Sequence, residues 1–249
     1  MIEVRNLTKT FLQKNGEELF AVNDLSFKAH KREIVVLLGV NGAGKTTTMR
    51  MLSTVLQPTS GTATLEGFDL KKNPRDVRAN LGFLSSDTGL YARLTAREII
   101  TYFARLYDVE DYAIETRISN LTKLLDMHDF LDKKIDLLST GMKQKVSIAR
   151  SIIHDPPVMI FDEPTAGLDI LTAKNIVSFI NQCKEEGKCV LFSTHIMREA
   201  ERIADKIVMI HRGKLLAEGS WEDFMTETGL HDLDDIFIHY VNKIDGEDE

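Results

Sequence analysis

The sequence predicts an α/β fold: a mainly parallel sheet with covering helices, interrupted by an inserted helical segment. Three observations carry this. Short aliphatic runs rich in β-branched residues alternate with helical stretches, most regularly after residue 153, and such alternation argues for parallel strands joined by crossover helices. Between about residues 95 and 153 the pattern changes, with no Pro, a single Gly and apolar residues at helical spacing. Finally, 249 residues suffice for one sizeable core plus a satellite subdomain, and are too few for two ordinary domains.

The elements follow in order. Residues 2–4 and 25–28 read as short alternating strands. Residues 34–38 form a continuous apolar run, as in a strand buried on both faces. A Gly-rich turn comes next, then a helix over about residues 45–55. Residues 63–65 and 81–84 read as further strands. In the insert, Ile99, Ile100, Phe103 and Leu106 make one helical face, and Ile118, Leu121, Leu124 and Leu125 another. Strands are then expected at 158–161, 189–193 and 207–211, with helices at 170–185 and 197–204. The chain shows no internal repeat and no low-complexity linker.

The composition, 43% apolar and 28% charged, is that of a folded soluble protein. The net charge of −7 gives no basic footprint, so a nucleic-acid partner is not expected. Part of the negative charge crowds into Asp232, Asp234, Asp235, Asp245, Glu247, Asp248 and Glu249, which reads as a solvated tail. Two cysteines, Cys183 and Cys189, fit neither a metal nor a redox spacing and point to a reducing compartment. The first residues lack the apolar core of a signal peptide. No apolar run approaches the roughly 20 residues that a bilayer requires, so a membrane role would use a separate membrane partner.

Gly39-Val40-Asn41-Gly42-Ala43-Gly44-Lys45-Thr46 fits GxxxxGK[ST], between a predicted strand and a predicted helix. Glycines in such a loop let backbone N–H groups approach phosphates, and the following helix adds its positive end. In this pattern Lys45 reaches the β- and γ-phosphates, Thr46 ligates Mg²⁺ and Thr47 adds a phosphate contact. The motif alone indicates a nucleotide-binding P-loop protein. Later, the apolar run 158–161 ends in Asp162-Glu163-Pro164. Asp162, at a strand's carboxyl edge, is placed for Mg²⁺, and Glu163 for polarising an attacking water. Adjacent strand residues point to opposite faces; the two acids converge only if the chain turns, and Pro164 is the expected turning point.

At this point the sequence resembles the ATP-binding cassette (ABC) ATPases over nearly its whole length. Five further segments stand in that family's order. Leu138-Ser139-Thr140-Gly141-Met142-Lys143-Gln144 resembles the LSGGQ signature, directly before a helical stretch at 143–153. Ala166-Gly167-Leu168-Asp169 resembles the D-loop, and His195, after Val190-Leu191-Phe192-Ser193-Thr194, the switch histidine. Phe11 sits where the family stacks an aromatic on adenine, with Phe20 as a rival. Gly213-Lys214-Leu215-Leu216-Ala217-Glu218-Gly219 resembles the turn and strand that close the core.

The resemblance implies a P-loop NTPase (RecA-like) core with a parallel sheet, a small antiparallel β subdomain and an inserted helical subdomain. The expected division is residues 1–86 and 154–222 for the ATP-binding core, 87–153 for the helical subdomain with the signature, and 223–249 for an acidic tail. It implies ATP hydrolysis with Mg²⁺, with Glu163, His195 and Lys45 in catalysis and Thr46 and Asp162 on the metal. ATP would meet Phe11, Gly39, Asn41, Gly42, Ala43, Gly44, Lys45, Thr46 and Thr47. Ser139 and Gly141 would cover the ATP of a second cassette, a homodimer being the expected form. The partner doing the work would be a separate integral membrane subunit, which places the chain peripherally on the cytoplasmic face of the cell membrane.

Two departures stand out. Ser86, followed by Asp87, occupies the place of a Gln that in the family links the metal site to the membrane partner, while the run 89–98 keeps the usual pattern and is the expected docking surface. In the signature, Thr140 replaces a Gly and Met142 a Gln. The run 139–146, with the absent Gln, is similar to the NatA type of exporter subunit, whose members expel sodium ions, within a broad exporter group that also handles drugs and lipids. A transport ATPase, exporting sodium or small molecules, is therefore the leading expectation. The alternative is a soluble non-transport cassette protein acting on ribosomes or DNA, against which stand the single cassette, the short insert and the acidic balance. An importer stays open; the signature with Thr194-His195 opposes a P-loop kinase, and a small GTPase is set aside on the expectation that the chain lacks a guanine-reading NKxD.

Overall fold

The computed structural model describes residues 1–85 and 89–246. The chain opens with β1 (Ile2–Leu12), β2 (Glu18–Ala29) and β3 (Glu33–Leu38), then α1 (Lys45–Leu52), β4 (Ser60–Leu65), β5 (Phe68–Asp69), α2 (Pro74–Ala79) and β6 (Leu81–Leu84). Helices α3 (Ala96–Leu106), α4 (Asp111–Leu124) and α5 (Thr140–Ile152) follow. Alternation resumes with β7 (Val158–Asp162), α6 (Ile170–Glu185), β8 (Cys189–Thr194), α7 (Met197–Ile203), β9 (Lys206–His211) and β10 (Lys214–Gly219). The chain closes with α8 (Trp221–Thr228) and α9 (Leu233–Asp245).

Two sheets result. A six-stranded sheet has the order β10-β9-β3-β8-β7-β6, parallel throughout except for the antiparallel β10. An antiparallel four-stranded sheet has the order β2-β1-β4-β5. The central strands alternate between two cores, because successive side chains leave opposite faces. Val35 and Leu37 of β3, Val158 and Ile160 of β7, and Leu191 of β8 pack with β1, β2 and α1. Ile34, Val36 and Leu38, Met159 and Phe161, and Phe192 pack on the helical side. Burial on both faces explains the unbroken apolar runs, and each large aliphatic side chain fully removed from water contributes about 1.5–3 kcal/mol.

The structure departs from the sequence expectations in four places. β1 and β2 run far beyond the short strands expected, because their antiparallel pairing continues past the core into an exposed hairpin where Phe11 faces Leu19 and Thr10 faces Phe20. α1 stops at Leu52 rather than near 55; Ser53 caps it and Thr54 takes a left-handed φ of 61°. Leu106 is exposed, since the buried stripe of α3 ends at Ala104. The stretch 223–249, expected as an acidic tail whose charge run is solvated, is helical over most of its described part: Leu233, Ile236, Phe237 and Tyr240 recur at the i, i+3, i+4, i+7 spacing of an amphipathic helix and are buried. Asp232, Asp234 and Asp235 keep the solvent side, Asp232 capping the helix and the other two in its first turn, where the helix dipole favours them.

Both cysteines are free, and burial pushes the Cys183 thiol up to about 12 and that of Cys189 up to about 11. Among the described residues no helix is long and apolar enough to cross a membrane. Ser86 and Asp87, where the sequence departs from the family's Gln, lie outside the described residues.

Candidate active site

Parallel strands present all their carboxyl ends at one edge, and the crevice there is where open α/β sheets bind ligands. In register, Leu38 of β3 stands beside Thr194 of β8, and Asp162 of β7 beside Ser193. Three chain segments are thereby brought together: the loop 39–44, the Asp162-Glu163 pair and His195.

The loop wraps the start of α1, whose first turn holds no acidic residue and whose N-terminus has no side-chain cap. Its backbone N–H groups are thus left for an anion. Gly44 caps α1 with φ 106°, and a Cβ there would lie 2.4 Å from the Ala21 carbonyl oxygen. Gly39 is held equally closely, 2.5 Å from the Ile210 oxygen by the same measure. Both positions require glycine for packing against neighbouring strands.

Lys45 is buried, and its Nζ donates to the carbonyls of Gly39 (2.7 Å) and Val40 (3.2 Å) while lying 3.3 Å from Glu163 Oε1. Thr46 Oγ1 donates to Asp162 Oδ1 at 3.3 Å. Ser193 Oγ donates to the same Oδ1 at 2.7 Å and accepts from the Glu163 backbone N–H at 3.0 Å. His195 Nδ1 lies 3.1 Å from Glu163 Oε2. The turn expected at Pro164 occurs one residue earlier: Glu163 itself takes φ 49°, a left-handed conformation that costs a side-chain-bearing residue roughly 1–2 kcal/mol. That reversal lets two adjacent carboxylates address one site.

A cavity of about 460 Å³ is lined by Asn41, Gly42, Gly44, Lys45, Thr46, Thr47 and Glu163, with Leu19, Phe20, Ala21 and Arg212 from other elements. Phe20 thus belongs to this cavity. Phe11 lines a neighbouring cavity of about 690 Å³, beside Arg50 and Tyr107, which shares Thr47 with the first. Ala43 is buried beneath the loop, its carbonyl accepting from Gly213 of the β9–β10 turn. Ser139 and Gly141 line neither cavity. They start α5, where Ser139 Oγ accepts from the Met142 N–H and Gly141 presses against Thr172 of α6. Asp169 caps α6; the Thr172 backbone and hydroxyl and the Leu171 N–H hold its carboxyl below the usual carboxylate range.

The donor chemistry near α1 suits a hard divalent ion. Among the described residues no group of three or more His, Cys, Asp or Glu could hold a metal, but Mg²⁺ needs only one or two protein oxygens and takes the rest from phosphates and water. The Thr46 hydroxyl and the Asp162 carboxylate, 3.3 Å apart, are oxygens that could serve as that pair. Sequence reasoning missed Ser193, Gln144 and Arg212. A polar residue inside the fully buried strand β8 was the available signal for Ser193. Gln144, which donates to the Pro164 carbonyl at 2.7 Å, had no such signal, and Arg212 arrives from a turn distant in sequence. Asn242-Lys243-Ile244-Asp245 does fit NKxD, the pattern by which GTPases read guanine, but it closes α9, and Asn242, Lys243 and Ile244 do not line the cavity.

Comparison with known proteins agrees with this geometry. A family model described as "ABC transporter" matches residues 22–166. The chain is 42% identical over 239 residues to the ABC transporter ATP-binding protein NatA of Bacillus subtilis (strain 168), covering 96% of this chain and 97% of that one. The solved ATP-binding subunit of an ABC transporter superposes with a TM-score of 0.87 at 30% identity, covering 97% of this chain and 99% of that one. A dimeric ATP-binding cassette in a post-hydrolysis state, bound to ADP and Pi, superposes with a TM-score of 0.80 at 25% identity, covering 88% and 98% of the two chains.

Proposed function

The chain belongs to the ABC transporter family, as an ATP-hydrolysing cassette subunit, and from that premise we propose that it powers a separate membrane subunit by cleaving ATP held between two cassettes. The observation that carries the reading is that Lys45, Thr46 and Glu163 line one cavity, with Asp162 on Thr46 and His195 on Glu163 within hydrogen-bonding reach behind them.

The chemistry is in-line attack of water on the γ-phosphorus, with the bond to the leaving ADP breaking and inorganic phosphate released. The protein's part is positioning and charge stabilisation. Backbone N–H groups of residues 39–44 and the start of α1 cradle the phosphates. Lys45, now shared between two loop carbonyls and Glu163, turns its ammonium to the β- and γ-phosphates. Thr46 and Asp162 would hold Mg²⁺, which when bound would offset phosphate charge. Glu163 takes the proton of the attacking water at its carboxylate, and His195, beside it, contacts the γ-phosphate. Phe11 or Phe20 stacks on the base.

Ser139 and Gly141, at the N-terminus of α5, face the ATP of the second cassette in a homodimer. Closure by ATP and opening after hydrolysis supply the stroke. The relative NatA and the NatA-like signature favour an exporter of sodium ions or small molecules on the cytoplasmic face of the cell membrane. The non-transport alternative is not favoured, since the matching family is described as a transporter family. Extraction of the tagged protein from its native cells in mild detergent, with mass spectrometry of what co-purifies, tests the proposal. A stoichiometric multi-helix membrane protein supports it and leads to a sodium-efflux assay. Ribosomal proteins or a soluble partner alone overturn it.

A further inference from the structure

The turn 163–165 is pinned at three successive residues. Ser193 Oγ accepts from the Glu163 N–H, Gln144 Nε2 donates to the Pro164 carbonyl, and the Thr165 hydroxyl donates to Glu199 Oε1 at 2.6 Å. The last pin differs from the others. The second oxygen of the same carboxylate, Glu199 Oε2, accepts from the Thr194 hydroxyl, also at 2.6 Å. Thr194 immediately precedes His195. One side chain on α7 therefore holds both the turn that carries Glu163 and the strand end that carries His195.

We propose that Glu199 is a positioning residue for ATP hydrolysis: by bridging Thr165 and Thr194 it sets the 3.1 Å contact between Glu163 and His195. The inference rests on the reading above that these two residues serve the reaction. Both hydroxyls belong to buried residues, and O–H···O⁻ bonds of this length are charge-assisted and among the stronger hydrogen bonds of a protein. Glu163 stands in a left-handed conformation that persists only where its surroundings over-determine it. Without the bridge, Thr165 and Thr194 lose their common acceptor, and the Glu163 turn keeps only the Ser193 and Gln144 pins.

The test measures steady-state phosphate release by the full-length chain with Mg²⁺ and ATP, together with equilibrium ATP binding. In Glu199→Ala, kcat should fall on the order of 10- to 100-fold, the usual cost of displacing a reacting group by about 1 Å. KM and ATP affinity should stay within about twofold, because no uniform binding contact is lost. Glu199→Gln should recover most of the rate, since its amide accepts from one hydroxyl and donates to the other. Placed in a Glu163→Gln background, Glu199→Ala should cost little more, because a residue acting through another is non-additive with it. An unchanged kcat in Glu199→Ala, or a full independent loss in the Glu163→Gln background, overturns the proposal. Should Glu199→Ala fail to fold, Thr165→Val removes one hydroxyl at nearly constant shape: reduced kcat supports the bridge, and wild-type kcat overturns it. Wild-type turnover in Glu163→Gln alone would instead refute the assignment of the base.

Discussion

At the scale of single residues, the site depends on where two carboxylates are made to point. Asp162 is the last residue of a buried strand and is fixed by Ser193 and Thr46. Glu163 leaves that strand through a left-handed step and reaches the cavity, between Lys45 and His195. Replacing Glu163 by Gln keeps shape and hydrogen-bonding capacity but removes the proposed base. ATP should still bind, with turnover at least about 10²-fold slower, the usual scale for losing a general base. A phosphate-release assay showing normal turnover would sink the assignment. Lys45→Ala removes the buried ammonium at the head of α1, and a nucleotide titration should show ATP binding lost. That these residues gather at one sheet edge was legible in the sequence because the proposed chemistry fixes their spacing: a phosphate loop tolerates no insertion, and a metal-binding carboxylate is expected at a strand end. Arg212 was harder to read because it reaches the cavity from a turn that only the fold brings near.

At the scale of elements, α5 joins the two halves of the molecule. Its first residues carry the signature, its side chain Gln144 grips the Pro164 carbonyl, and just beyond its end stands His154. The His154 ring stacks on Tyr107 at the end of α3, 3.8 Å between centroids, and its Nε2 meets the Leu81 carbonyl at the start of β6 at 3.2 Å. With Nε2 donating, the buried Nδ1 has no partner among the described residues. Burial pushes His154 down to about 4; the Leu81 carbonyl and Asp155 oppose this, and Arg117 and Lys188 reinforce it. Because the unfolded chain binds this proton more readily, the associated stability is fully present above about pH 6.5. It is lost as pH falls through about 4, for a total on the order of 2–3 kcal/mol. His154→Phe keeps the stack and removes the titration. Urea denaturation at pH 7 and pH 4 should show wild type losing about 2 kcal/mol more than the variant. Equal losses would mean that His154 is not the titrating group. None of this junction was visible from sequence, where helical periodicity marked the insert but not the side chains that tie it to the sheet. The strands, by contrast, were legible wherever both faces are buried, as in β3, β6, β7 and β8. They were underestimated in β1 and β2, whose exposed half is held by ladder hydrogen bonds rather than by an apolar pattern.

At the scale of the whole molecule, the end of the chain changes its meaning. Counting charges predicts a solvated tail, yet Asp234 and Asp235 stand exposed on one side of α9 while four apolar side chains occupy the other. Leu233, Ile236, Phe237 and Tyr240 are buried in the core on the helical side of the sheet. Tyr240 meets Phe224 of α8 edge to face at 5.9 Å, and the Leu233 N–H donates to Glu201 of α7 at 3.2 Å. Helix α7 is the one that carries Glu199, so the last helix of the chain buttresses the element that spans the Glu163 turn and the β8 end. A charge run and an amphipathic helix are compatible in one stretch because a helix separates its faces every 3.6 residues. Phe237→Ala decides between the two pictures. Truncating a buried Phe leaves a cavity and should cost about 3 kcal/mol of unfolding free energy, measured by urea denaturation at neutral pH. In a solvated tail the same change would stay within about 0.5 kcal/mol. Because the lost packing lies behind α7 rather than in the nucleotide cavity, ATP affinity should be preserved at temperatures well below the unfolding midpoint. A large loss of affinity with unchanged stability would contradict the placement of α9.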